Sequence, residues 1–292
     1  MEKQPKTFAD YKSQGHNWIT LAMGEFYPDI LEDACALYEP VLVLFKKLLV
    51  TSESSTTLFL QISDVSPQWM RIQLYRVFRK YVCPSTPVEM LKKKSKVQEI
   101  CDRFGNQFRP IQEVQGAFMS RPLPDEALCA VLWEYKSRGQ SGYDLTDRFF
   151  TMFLSRFPQL YIEGPQRAGQ DVRLGKVFKE YPNPNRPVDF VIYDTDGKTV
   201  LAIGLARYDS DRGGAQEDDR TGGYRNCADE ILSFAKERGH KTKVLFVNDG
   251  PGLLLGSMWN DYAVLEESWP GKIMVLTLRM FPERLTLEWF RS

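Results

Sequence analysis

The chain has 292 residues, 43% of them hydrophobic and 26% charged, with 38 basic side chains against 38 acidic ones. That composition belongs to a soluble globular protein with room for one large domain or two ordinary ones. A neutral total excludes a general field for polyanions, so any nucleic-acid contact must come from local placement of charge. Five scattered cysteines, Cys35, Cys83, Cys101, Cys129 and Cys227, form no C-x-x-C pair, and His16 and His240 are the sole imidazoles. A disulfide framework or zinc site is therefore not expected, and reduced thiols in a cytoplasmic protein are. The N-terminal MEKQPKTFADYKSQ lacks the apolar core of a signal peptide. The most apolar run, Pro40 to Val50, is too short for a bilayer and holds Lys46 and Lys47, so no membrane partner is expected.

From Phe8 to about Val50 the pattern is helical, with Ile30, Leu31, Ala34, Leu37 and Tyr38 at three- and four-residue spacing. Pro40 is expected to break or restart that helix. Val41, Leu42, Leu44, Phe45, Leu48 and Leu49 give the next one a broad apolar face. Thr51–Thr57 reads as a polar loop. Ser66-Pro67 reads as a helix start, with Ser66 the cap, and the helix from Gln68 to about Tyr81 carries Arg71, Arg76, Arg79 and Lys80. Val88 to Phe104 contains Lys92, Lys93, Lys94 and Lys96, which suit a solvated face or a phosphate-contacting one. Asp125 starts a helix from Glu126 to about Lys136, with Leu128, Val131, Leu132 and Tyr135 as its buried side. A turn over Arg138–Gly142 then leads to an aromatic helix through Phe149, Phe150, Met152, Phe153 and Phe157. A DNA-reading helix-turn-helix and plain core packing would both give this pattern.

Beyond Pro158 strands dominate. Gln159–Glu163 is a short strand, Asp171 to Phe178 a strand or irregular, and Phe190–Tyr193 and Thr199–Tyr208 the arms of a hairpin. A helix from Tyr224 to Arg238 stops at Gly239. Lys243–Asn248 is a buried strand, Leu253 to Leu265 a helix, Lys272–Met280 a strand, and Leu285–Phe290 an edge strand. The expected fold is α/β (α+β): residues 1–143 form a helical N-terminal region, and 144–292 a mixed sheet flanked by helices in the order α-β-β-β-α-β.

One stretch carries the chemistry. Arg186-Pro-Val-Asp189 opens the hairpin, and past its second arm Asp209–Arg225 packs five carboxylates, three arginines and four glycines into seventeen residues. That exceeds what a strand–helix connection needs, and long loops often carry function. The order of elements, with Asp189 at the head of a hairpin, resembles the restriction-endonuclease-like fold of the PD-(D/E)xK nucleases over roughly Asp144 to Met280. The resemblance implies a type II endonuclease that hydrolyses double-stranded DNA at a short site. An aspartate and an acid on the next strand would hold Mg²⁺, which takes oxygen ligands and activates a bound water, and a lysine two residues on would position that water. Asp189 matches the first acid. By register the second acid falls at Gly204 and the lysine at Ala206, and neither residue can serve.

Three readings follow. Arg207 supplies the positive charge and Glu217 the missing carboxylate, with Glu163 able to hold a second ion. Alternatively, Gly204 or Ala206 disables an otherwise normal enzyme. Thirdly, the fold is kept as a catalytically inactive DNA-binding protein. Arg167, Arg173, Arg186, Arg207, Arg212, Arg220 and Arg225 surround the hairpin and suit bidentate contacts to guanine or phosphate, with Gln216 for adenine and Asp211 or Asp218 for cytosine. The helical region would supply one arm of a DNA clamp or dimer contacts. A palindromic target would require a two-fold homodimer.

Overall fold

The computed structural model describes residues 6–21, 26–165, 171–210 and 216–292, and for 136–143 and 216–221 it describes the backbone alone. The chain divides into two compact units, Gly24–Arg138 and Met1–Met23 with Gly139–Ser292. The first 23 residues thus join the sheet-bearing unit and not the helical region in which the sequence reading placed them. Among the described residues, no helix is long and apolar enough to cross a membrane.

The helical unit begins with α1 (Ile30–Thr51), which runs straight through Pro40. A mid-helix proline costs about 3 kcal/mol. Here Ala34, Tyr38, Val41, Leu42, Phe45 and Leu49 form one buried stripe on both sides of it, and burial of several such side chains at about 1.5–3 kcal/mol each exceeds that cost. The expected polar loop is only the break at Ser52–Ser54. Ser54 caps α2 (Ser55–Asp64) by accepting from the Thr57 N–H at 3.0 Å, and Leu58, Phe59 and Ile62 face inward. The third helix, α3 (Gln68–Tyr81), has the expected bounds, but its N-cap is Pro67 and not Ser66. After two 3-10 turns holding the lysine run come α4 (Val97–Phe104) and α5 (Ile111–Met119). The core joins Phe59 to Tyr75 and Phe78 at ring separations of 5.0 and 5.2 Å, and Phe45 to Phe118 at 5.3 Å.

Asp125 starts α6 (Glu126–Arg156), accepting from the Leu128 N–H at 3.2 Å. The backbone stays helical through Arg138–Gly142, so the expected turn, and with it the helix-turn-helix, is absent. Glycine costs a helix only about 1 kcal/mol, which the burial of Leu145, Phe149, Phe150, Phe153 and Phe157 downstream outweighs. Upstream the buried side is Cys129, Leu132 and Trp133, while Val131, expected inside, is exposed.

In the sheet unit, β1 (Tyr161–Glu163) is followed by β2 (Val172–Arg173) and β3 (Pro187–Val188), which pair with each other. Then come β4 (Phe190–Tyr193) and β5 (Val200–Tyr208), helix α7 (Gln216–Glu237), β6 (Lys243–Asp249), helix α8 (Met258–Ser268) and β7 (Ile273–Leu276). The main sheet has the order β1-β4-β5-β6-β7, antiparallel as far as β5 and parallel beyond it. Every residue of β6 is buried, as befits a parallel strand covered on both faces. Gly239, at φ 70°, stops the chain just past α7, where a side chain would be strained. The expected edge strand at Leu285–Phe290 is instead a short helix, Leu287–Arg291. Thr286 caps it, accepting from the Trp289 N–H at 3.2 Å, and this cap overrides the alternating apolar pattern.

The N-terminal segment completes this unit. Phe8 is fully buried and stacks on Trp259 at 4.6 Å. Its N–H donates to Glu266 at 2.6 Å, and its carbonyl accepts from the Trp259 indole at 3.1 Å. Asp249, also fully buried, accepts the backbone N–H groups of Thr20 (2.6 Å), Gly250 (2.7 Å) and Leu278 (3.0 Å).

Candidate functional site

Asp189 stands between β3 and β4, where the hairpin opens. Its N–H donates to the Gly204 carbonyl at 3.1 Å, and its Oδ2 accepts from the Ala206 N–H at 2.7 Å. The carboxylate thereby takes the place of a ladder partner for β5. Burial pushes its pKa up to about 6; the Ala206 N–H opposes the rise, and the negative charge of Asp171 adds to it. On the β1 side the backbone comes very close: a Cβ on Gly164 would lie 2.5 Å from the Asp189 carbonyl oxygen, so only glycine can occupy that position.

The two candidate motif positions on β5 bind Asp189 through their backbones alone. A Cβ on Gly204 would meet the Phe190 ring at 2.0 Å, and that ring is held by Phe149 at 5.0 Å and Phe150 at 5.8 Å. An acid at position 204 has no space, which corrects the view of Gly204 as a replaced metal ligand. Alternation along the strand puts Ala206 on the same face as Gly204, and Leu205 and Arg207 on the opposite one. The sequence register is off by one because the β4–β5 pairing shifts between Ile192 and Tyr193: Tyr193 faces Val200, while Ile192 faces Ala202 and Phe190 faces Gly204. Counting outward from the turn misses that bulge and inverts the faces.

Arg207 meets Tyr224 of α7. Its guanidinium also donates to Asp209, which is buried. Burial disfavours the arginine's charge, but Asp209 and Tyr224 outweigh that and hold its pKa above the ordinary value. Burial also raises the Tyr224 pKa, against the pull of Arg207, and the charge of Asp189 acts on both Tyr224 and Cys227. The Tyr224 ring lies 5.5 Å from Phe246 and 6.3 Å from Tyr262. Asn248, in register with Arg207 on β6, is fully buried and its amide makes no hydrogen bond. Asp189, Arg207, Asp209, Tyr224 and Asn248 thus gather at the carboxyl ends of the parallel strands β5 and β6, where open α/β sheets bind ligands. Tyr224, Asp209 and Asn248 were not singled out from sequence. Tyr224 heads the buried row Cys227, Ala228 and Ile231 and reads simply as core.

The remaining candidates are dispersed. Glu163 pairs in register with Val191 and accepts from the Tyr193 hydroxyl at 3.1 Å. Arg173 binds the Asn185 side chain at 3.0 Å, and Arg186 pairs with Glu230 of α7 at 2.5 Å. Arg225 is exposed on α7. Arg167, Asp211 and Arg212 lie outside the described residues. So do the side chains of Gln216, Glu217, Asp218 and Arg220, whose backbone forms the start of α7. Among the described residues, no group of three His, Cys, Asp or Glu side chains could hold a metal ion. Asp189 offers one oxygen donor and Asp209 is engaged by Arg207, so these donors alone do not make a Mg²⁺ site.

Compared with known proteins, the chain matches no family model, and no curated protein is significantly similar to it.

Proposed function

We propose that this chain is a type II endonuclease of the PD-(D/E)xK kind, cutting double-stranded DNA with Mg²⁺. The observation that carries this reading is Asp189 at the open end of an antiparallel hairpin whose second strand enters a parallel sheet. One strand across, Arg207 lies at the same end of that sheet. The restriction-endonuclease-like core has that order of strands, and its acid-x-lysine motif then corresponds to Leu205-Ala206-Arg207. The cation is kept as arginine, while leucine takes the strand's acid position. The second carboxylate must come from outside β5. Glu217, in the first turn of α7, is our candidate, because α7 already delivers Tyr224 to Arg207.

In this reading Arg207, held by Asp209 and Tyr224, presents a fixed positive charge to a phosphate. Asp189, bonded to β5 through its N–H and Oδ2, offers its other carboxylate oxygen as the donor. Incubation of linear duplex DNA with the protein and Mg²⁺ should give discrete fragments. Asp189→Asn and Glu217→Gln should each abolish them while leaving DNA binding intact; full cutting by either variant refutes its assigned role. A homodimer, seen by sedimentation, is the expected form on a palindromic target.

That no group of three His, Cys, Asp or Glu side chains among the described residues could hold a metal ion favours one alternative, a DNA-binding protein that does not cut. The same assay separates the two: binding without fragments at any Mg²⁺ or Mn²⁺ concentration identifies the binder.

A further inference from the structure

The last two turns of α3 present an unusual concentration of charge. Arg76, Arg79 and Lys80 all gather on the ring of Tyr135, with their cationic centres 5.0, 5.1 and 5.8 Å from its centroid. Arg79 also donates to the Tyr135 hydroxyl. All four residues belong to the helical unit. The face of one aromatic ring attracts a cation by about 0.5–1 kcal/mol at an exposed site, and three share it here. The carboxyl terminus of α3 adds about half a negative charge. Neither neutralises three full charges.

Nearby acids do not make up the difference. Glu89 reaches only Arg76, at 3.7 Å, and is itself 68% exposed and paired with Lys92 at 2.5 Å. Among the described residues, no carboxylate forms an ion pair with Arg79 or Lys80. The same helix carries no acid between Gln68 and Tyr81, and its Arg71, 5% exposed, directs its guanidinium to the Lys92 carbonyl at 3.3 Å. A cluster of fixed cations held apart by a rigid ring is short of an anion with several acceptor oxygens. A phosphate provides that, and guanidinium forks match its geometry.

We infer that Arg76, Arg79, Lys80 and Tyr135 form a cradle for a backbone phosphate of double-stranded DNA, separate from the residues around Asp189. The assignment of DNA rests on the function proposed above; the anion deficit does not. Such a contact reads no bases. It strengthens binding to any duplex and gives the helical unit a grip independent of sequence.

The test is fluorescence anisotropy of a labelled duplex with the full chain, in EDTA so that nothing is cut, across a range of salt concentrations. Each phosphate contact contributes about 0.9 to the slope of log K against log salt. The double variant Arg79→Gln with Lys80→Gln should lower the slope by about 1 and weaken binding by about tenfold near 0.1 M salt. Arg79→Lys keeps the charge and should keep most of the slope. A loss as large as that of the glutamine change would make the role structural and overturn the cradle. Glu89→Gln, at an exposed site that does not threaten folding, should tighten binding by freeing Arg76, and no tightening counts against the cradle. If the wild type binds with a salt slope that the double variant leaves unchanged, the cradle is wrong and the nuclease reading stands. If the wild type shows no salt-dependent binding, the nuclease reading falls with it.

Discussion

Asp189 is a carboxylate whose surroundings resist its charge, and the sign of that effect can be worked out. Its pKa is about 6 in the fold against 3.8 as the ordinary value, so between those pH values the native state holds a proton that the unfolded chain has lost. The group therefore withdraws stability as pH rises through that window, by roughly 1–3 kcal/mol. Denaturant titration of metal-free protein should find Asp189→Asn more stable than wild type at pH 7.5, with the gap closing near pH 4. A gap that is the same at both values would mean that burial does not set this group's charge. Gly204 gives the complementary case. Gly204→Ala forces a methyl into the Phe190 ring and should cost about 1–3 kcal/mol, read as a lowered melting temperature. Unaltered melting would show that the ring yields. Asp189 was legible in the sequence because Arg-Pro-Val-Asp breaks off just before an apolar strand. The pairing that sets Phe190 against Gly204 was not legible, since a single bulge at Ile192/Tyr193 leaves no mark in the composition of either strand. The side chains expected to complete the site, Glu217 above all, lie outside the described residues.

Among elements, those written as continuous apolar runs, β4, β5 and β6, lie close to their expected limits, as does α3, which its Ser66-Pro67 start marks. Those whose ends depend on competition between a local signal and packing do not. Pro40 and the glycines of Arg138–Gly142 are breakers by propensity, yet both stand in continuous helical backbone, and Pro40 lies within one buried stripe that runs on both sides of it. Conversely, Thr286 turned an alternating segment into a helix by capping it. Caps are therefore the element-scale feature most open to test. Asp125 both caps α6 and binds Arg121 at 2.7 Å, and that bond holds its carboxyl below the usual value of 3.8. Asp125→Ala should cost about 1 kcal/mol at pH 7. Because the folded pKa is depressed, this contribution is present above pH 3.8 and is lost as pH falls through the folded value. Equal costs at pH 7 and pH 2.5 would show that the ion pair and the charged cap contribute nothing.

For the whole molecule, the division into units was half legible. The change from helical to strand patterns near residue 140 marks one boundary, and the structure has it at Gly139. The other boundary, at Met23, has no compositional sign, because the segment that crosses to the sheet unit is short and mostly polar. It is fixed by Phe8, Glu266 and Trp259 and by the three backbone N–H groups on Asp249, all contacts between residues remote in sequence. Asp249→Ala strips acceptors from three N–H groups. It should cost about 3 kcal/mol or more and open residues 8–20 to limited proteolysis. A protease-resistant N-terminal segment in that variant would mean that the aromatic stack alone holds it.

That same fastening sets an order of events during synthesis. Phe8 leaves the ribosome 251 residues ahead of Trp259, the ring on which it stacks. The helical unit, whose cores are all drawn from Gly24–Arg138, has its full complement of partners long before then. Residues 8–20 must remain unsatisfied while an entire unit folds behind them, and β6 does not meet Thr20 at its carboxyl end until Asp249 has been made. A partly made chain therefore has its helices in place before the cluster around Asp189 can close. If that cluster cuts DNA, it gains the ability only after Trp259 has emerged.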